Sequence, residues 1–313
     1  MTTSNQALIR KADITLADLA ADGGLLSPEQ TDRFIRTLID SPTLLNSARV
    51  VTMSAPERKI NKIGFGSRVL RAAVSATALS SADRVKPDLS QVVLTTDEVI
   101  AEVNIPYDVL EDNIEGGNIN AAAGSSAGGM EDTIVTLLAE RASLDLEELA
   151  ITGDTLSADP YLALQDGYLK LSTSHVVNAG AATISKNLLK LGVKAMPDKY
   201  LRNRAQLLHY VSVDNETEYR DTYASRQTAL GDAVLQGISP VFAFGSQLTG
   251  VPLMPNTQGL FTNPLNLIFG IQRRITIEYD KDIRARVFIV VLTARVALAI
   301  EEVDAVVKYI NIG

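Results

Sequence analysis

Residues 274–300 read RITIEYDKDIRARVFIVVLTARVALAI, and this stretch decides the fold. Arg274–Tyr279 alternates as a strand does, Asp280, Lys281 and Asp282 predict a polar turn, and Ile283–Ile300 is an eighteen-residue run rich in branched side chains. Val, Ile, Thr and Phe fit the pleated surface of a strand better than the wall of a helix. At about 3.3 Å per residue such a run extends over roughly 60 Å, whereas ordinary strands have about 5–6 residues. A ribbon of that length spans distance and is out of scale for a compact enzyme core. Arg284, Arg286 and Arg295 interrupt it, which excludes a membrane helix of about 20 mostly uncharged residues.

The ribbon needs something to lie on. Asn118–Ala150 is mostly helical in pattern, with Ile134, Leu138, Ala142, Leu146 and Leu149 on one stripe at spacings of three and four. Glu131 and Asp132 place acids at the start of the regular part, where they complement the helix dipole.

Composition narrows the function. The chain has 313 residues, 46% of them apolar and 21% charged, as in folded soluble proteins. It has no cysteine, hence no disulfide, thiolate metal site or cysteine nucleophile. The formal charge of −8 argues against gripping nucleic acid by its phosphates, which takes a basic surface. The N-terminus lacks the unbroken apolar core of a secretory signal.

Along the chain, Met1–Asp22 is weakly amphipathic, and Ser27-Pro28-Glu29-Gln30 opens a capped helix whose apolar face is Phe34, Ile35, Leu38 and Ile39. Arg58–Ala73 and Leu89–Ile105 are both extended in pattern, and Val74–Asp88 between them is rich in Ser and Ala. Nothing there can form a private core, so the segment predicts a long hairpin projecting from a body. GFG at 64–66 lacks the rest of a dinucleotide fingerprint.

Asp108, Glu111, Asp112 and Glu115 form an acidic cluster without the spacing of a calcium loop, which reads as a solvated helix face. GSSAGG at 124–129 is not a nucleophile elbow. A hydrolase built on the acidic cluster would need a pocket that raises a carboxyl pKa, and an adhesion or tail protein is a further non-enzymatic rival.

Beyond the helix, Tyr168–Gln272 reads as an inserted unit. Thr183 or Ser185 caps a helix over Lys186–Ala195 with Leu188, Leu189 and Leu191 inward. Ala205–Val213 is a strand, Asn215–Ala229 a helix, and Gly231–Gly250 a loop. His209 reads as a core histidine and His175 as a loop residue; neither has a partner set for a metal.

GGLLSPEQTDRFIRTLI, NIPYDVLEDNIEGGNI, LAERASLDLEELAITGD, GVPLMP, LFTNPLNLIFGIQRRITIEYDKDI and EEVDAVVKYINI occur in that order. Together they resemble the tailed-bacteriophage major capsid proteins of the HK97 fold. The likeness covers nearly the whole chain and rests on order and spacing. It implies an α+β fold with an N-arm at 1–49, an extended E-loop at 50–94, a P-domain at 95–157 and 274–313, and an A-domain at 158–273 whose loops meet around fivefold and sixfold axes.

The same resemblance implies a non-enzymatic shell subunit without cofactor or metal. It would assemble with itself into pentamers and hexamers in the host bacterial cytoplasm and enclose DNA without sequence-specific binding, becoming part of the virion, with no membrane. Scaffolding, portal and decoration proteins are the further partners it implies, and so short an arm implies a separate scaffold or none. Lys59, Lys62 and Lys86 do not align with the family's crosslinking lysine. Arg68, Arg71, Arg84 and Lys86 in the hairpin are expected to pair across subunits with Asp108, Glu111, Asp112 and Glu115. Deleting Val74–Asp88 is expected to leave a folded monomer that makes no shells. The alternative within the fold is an encapsulin-like nanocompartment shell protein.

Overall fold

The structure is a computed structural model that describes residues 43–66, 68–72, 78–80, 82–106, 130–224 and 240–313. Most of the expected N-arm and the acidic cluster Asp108–Glu115 lie outside these residues.

The C-terminal ribbon is a hairpin of two long strands, β10 (Leu267–Asp282) and β11 (Val287–Ile300), in antiparallel register from Leu267–Ile300 to Asp282–Val287. The turn lies at 283–286, later than the polar triplet suggested, so Asp280–Asp282 still pair across the ladder. Asp282 explains the shift: its carboxylate accepts hydrogen bonds from the Arg284 and Ala285 amides at 2.8 and 3.1 Å, closing an Asx turn. Arg286 leaves the turn at φ 54°.

β1 (Arg49–Thr52) adds parallel to β10, and β4 (Asp97–Pro106) adds antiparallel to β11, giving a four-stranded sheet in the order β1-β10-β11-β4. β11 alternates between half-buried and buried positions, and Phe288, Val290, Leu292, Ala294 and Val296 make its buried row.

The spine helix, here α2 after the short α1 (Leu44–Ser47), runs over Met130–Thr152; at 1.5 Å per residue it is about 35 Å long. Leu146 and Leu149 are buried, as their stripe predicts, while Leu138 and Ala142 are half-buried. Its end is fixed by Gly153: a Cβ there would lie 2.4 Å from the Gln165 carbonyl and 2.6 Å from that of Leu149. Only glycine permits that approach.

A second sheet has six strands in the order β5-β12-β9-β6-β8-β7. They are β5 (His175–Asn178), β6 (Leu208–Ser212), β7 (Phe242–Ala243), β8 (Ser246–Val251), β9 (Gly259–Thr262) and β12 (Val306–Ile310). Two helices accompany it, α4 (Lys186–Ala195) and α5 (Val213–Ala224), while α3 (Tyr168–Leu171) packs on the spine helix and β11. Ser185 caps α4 by accepting from the Leu188 amide, and Leu188 and Leu189 point inward while Leu191 stays exposed.

Three further readings change. His175 begins a strand, and β7 and β8 occupy part of the expected 231–250 loop. The extended run at 89–105 is divided at Thr96 between two sheets. The last strand, β12, lies between β5 and β9 and so belongs to the second sheet and not to the ribbon's.

Asn266 makes that last crossing. It accepts from the Glu301 amide with its carbonyl and from the Glu302 amide with its side chain, and its Nδ2 donates to the Glu302 carbonyl. One buried side chain thus holds both passages between sheets, just before β10 and just after β11. The larger core joins the two sheets, with Leu44, Leu149, Tyr168, Tyr210, Leu260, Phe269 and Val296 among its members. The Tyr168 hydroxyl donates to the Ile268 carbonyl, and the hydroxyls of Tyr210 and Ser47 hydrogen-bond at 2.8 Å.

Candidate assembly surfaces

The projecting hairpin is β2 (Glu57–Gly64) against β3 (Asp88–Thr95), a two-stranded sheet of its own. Its first strand begins at Glu57, one residue before the extended run expected from Arg58, and β1 pairs with the body. Its two faces differ, as period-two alternation requires. Ile60, Val92 and Leu94 turn inward and pack on Val51, Met53, Ile268, Ala297 and Ala299. That small core fastens the root.

The other face carries Ile63, paired with Leu89, and Val93. Ile63 is 72% exposed and Leu89 73%, and beyond the last paired residues Leu70 reaches 83%. Phe65, Val69 and Leu79 are exposed as well. Scattered surface leucines are ordinary, but apolar residues grouped on one projecting element mark an interaction surface.

Charged side chains tie the hairpin to the body, Arg58 by donating to the Thr52 carbonyl and Lys62 at a second place. Lys62, half-buried, donates to the Glu301 carbonyl at 2.6 Å and to the Glu302 carboxylate at 3.3 Å. Arg49 pairs with the Glu301 carboxylate at 2.8 Å. Between hairpin and body lies a cleft of about 720 Å³, lined in part by Lys62, Phe65, Asp88, Lys199 and Glu302. The Lys199 ammonium is held above its ordinary pKa, first by the Tyr200 side chain and then by Glu302 and Asp304.

The predicted basic residues Arg68, Arg71, Arg84 and Lys86 are all exposed on the connection between β2 and β3. Among the described residues none of them forms an ion pair. Their expected partners Asp108, Glu111, Asp112 and Glu115 fall outside the described residues.

Sequence reading missed Glu147, which is 1% exposed on the spine helix. Its carboxylate accepts from the amides of Leu44 and Leu45 and from the Thr43 hydroxyl. It thereby caps α1. The available signal was its position beside Leu146 and four before Ile151, on the buried side of the helix.

His209 is fully buried, stacks on Phe261 at 4.1 Å and has Nδ1 3.1 Å from the Tyr309 hydroxyl. Burial pushes its pKa down to about 3, so it stays neutral and structural. Among the described residues no three His, Cys, Asp or Glu side chains cluster as a metal site, and no helix is long and apolar enough to cross a membrane.

No family model matches the chain. It is 45% identical over 320 aligned positions to the prophage capsid protein YqbE of Bacillus subtilis (strain 168), covering 98% of this chain and 99% of that protein. Solved structures agree on the fold. The capsid of the native GTA particle aligns with a TM-score of 0.65 at 15% identity, over 96% of this chain and all of that one (100%). The procapsid of satellite phage P4, solved with its size determination (Sid) protein, gives 0.62 at 16% identity over 99% and 96%. Microbacterium phage Oxtober96 gives 0.60 at 13% identity over 96% and 99%. With the spine helix, the long ribbon and the projecting hairpin in place, the chain belongs to the phage capsid proteins of the HK97 fold and is a major capsid protein.

Proposed function

We infer that copies of this chain form the pentamers and hexamers of a closed shell around double-stranded DNA, and that the β2–β3 hairpin of each copy lies on a neighbour. The observation that carries this is the exposed pair Ile63 and Leu89, with Leu70 exposed beyond them, on an element fastened at its root. Burying such surface is worth about 25 cal/mol per Å², and many modest contacts per subunit multiply into a stable shell.

Arg68, Arg71, Arg84 and Lys86 then serve as register charges, meeting a neighbour's acids, with Asp108, Glu111, Asp112 and Glu115 the first candidates. Paired charges at a rim set orientation more than affinity. The net charge of −8 suits a container that encloses DNA without holding it. Assembly in the host cytoplasm, with scaffolding, portal and decoration proteins as further partners, completes this reading of a virion component.

The test replaces residues 67–87, beyond the last paired residues Gly64 and Asp88, with a short Gly-Ser linker. The expected result is a subunit with unchanged circular dichroism and a normal melting temperature that sediments as small species. Full-size particles from this variant would remove the hairpin from the mechanism.

A further inference from the structure

The turn between β7 and β8 is built against local preference. Phe242 and Ala243 pair with Gln247 and Ser246, which leaves Phe244 and Gly245 as a two-residue loop. Both have positive φ, 53° and 90°. Loops of that kind take Asn-Gly or Asp-Gly, and a bulky side chain at positive φ is a steric outlier. Phe244 gains little packing within its own subunit in return, being 40% exposed, and Phe242 is 51% exposed. A strained aromatic with so little burial of its own directs attention to what it meets elsewhere.

Its surroundings say what that is. β7 is an edge strand of the six-stranded sheet. Beside the turn runs the 3₁₀ segment Leu201–Gln206, with Arg202 and Arg204 exposed. The Ser246 hydroxyl donates to the Arg204 carbonyl at 3.1 Å. The turn also meets α5, whose Tyr223 hydroxyl donates to the Phe242 carbonyl at 3.4 Å and which exposes Glu218 and Asp221. Among the described residues none of these four charges is in an ion pair. An aromatic knob thus sits between a basic segment and an acidic one.

We propose that Phe242 and Phe244 anchor a head-to-tail contact between copies of this chain, in which Arg202 and Arg204 of one copy face Glu218 and Asp221 of the next. Joining two different patches in this way generates a ring when the rotation closes. Aromatic and arginine side chains supply most of the energy of such contacts, and the opposed charges fix the direction of travel around the ring. The proposal rests on the shell reading above and adds a second contact, independent of the hairpin.

The experiment compares wild type, Phe244→Asn, Arg204→Glu and the double variant Arg204→Glu/Asp221→Arg, each by melting of the dispersed subunit and by sedimentation of particles. Asparagine suits the turn, so Phe244→Asn should melt at the same temperature or higher while particle yield falls at least tenfold. Arg204→Glu should lower yield in the same way, and adding Asp221→Arg should restore at least half of it. Particles from Phe244→Asn at wild-type yield overturn the proposal and leave the shell reading standing, and they decide the matter alone if the charge variants do not fold. A wild-type chain that makes no particles removes the shell reading, and this contact with it.

Discussion

At the scale of single residues, two buried polar groups organise the subunit in opposite ways. Glu147 is a carboxylate stabilised by amide donors at the start of a short helix, an arrangement favoured by charge-assisted hydrogen bonds. Glu147→Ala leaves the amides of Leu44 and Leu45 without their partner, at a cost of about 1–3 kcal/mol. Urea unfolding of the dispersed subunit should show that loss, and Glu147→Gln, which keeps an acceptor oxygen, should show less.

His209 is neutral because burial opposes its charge. Its folded pKa of about 3 lies below the ordinary 6.5, so below 6.5 the unfolded chain binds the extra proton. The stability that His209 contributes is therefore complete above pH 6.5 and is lost as pH falls toward 3. Each unit of depression is worth about 1.4 kcal/mol, a few kcal/mol in total. Melting temperature measured between pH 7 and 4 should fall more steeply for wild type than for His209→Gln.

At the scale of elements, the long ones were legible and their junctions were not. The spine helix was readable because its stripe repeats over many turns, and α4 because Ser185 supplies a capping oxygen before an apolar face. The ribbon was readable from its branched side chains, but the turn was misplaced. A polar triplet looks like a turn, and only pairing shows that Asp280–Asp282 remain in the ladder while the Asp282 carboxylate closes the loop after them. Glu147 and Asn266 were invisible because their partners are about 100 and 36 residues away in the chain.

The Gly153 junction offers a test at this scale. Gly153→Ala should destabilise the subunit although alanine favours helices, since its Cβ meets two backbone carbonyls. Overpacking of that kind costs about 1–3 kcal/mol, or about 2–4 °C per kcal/mol in melting temperature for a chain of this class.

At the scale of the whole molecule, the candidate surfaces divide between what the subunit keeps for itself and what it leaves bare. The cores at both sheets are closed by the chain's own residues. The apolar face of the hairpin and the β7–β8 turn are not. Sequence pointed to the hairpin, since a Ser- and Ala-rich connection between two strands has no core to join. It gave no hint of the turn, because a phenylalanine where asparagine is the expected residue announces itself only once its φ is known.

The place of β12 has a consequence for when the subunit can form. Residues 306–310 are inserted between β5 and β9, so until they have left the ribosome β5 has no neighbour and the second core stays open. Nor is the hairpin fastened much earlier, since its root packs on Ile268, Ala297 and Ala299. A chain that stops short of residue 306 therefore lacks the strand that joins β5 to β9 and has no complete second sheet to offer another copy.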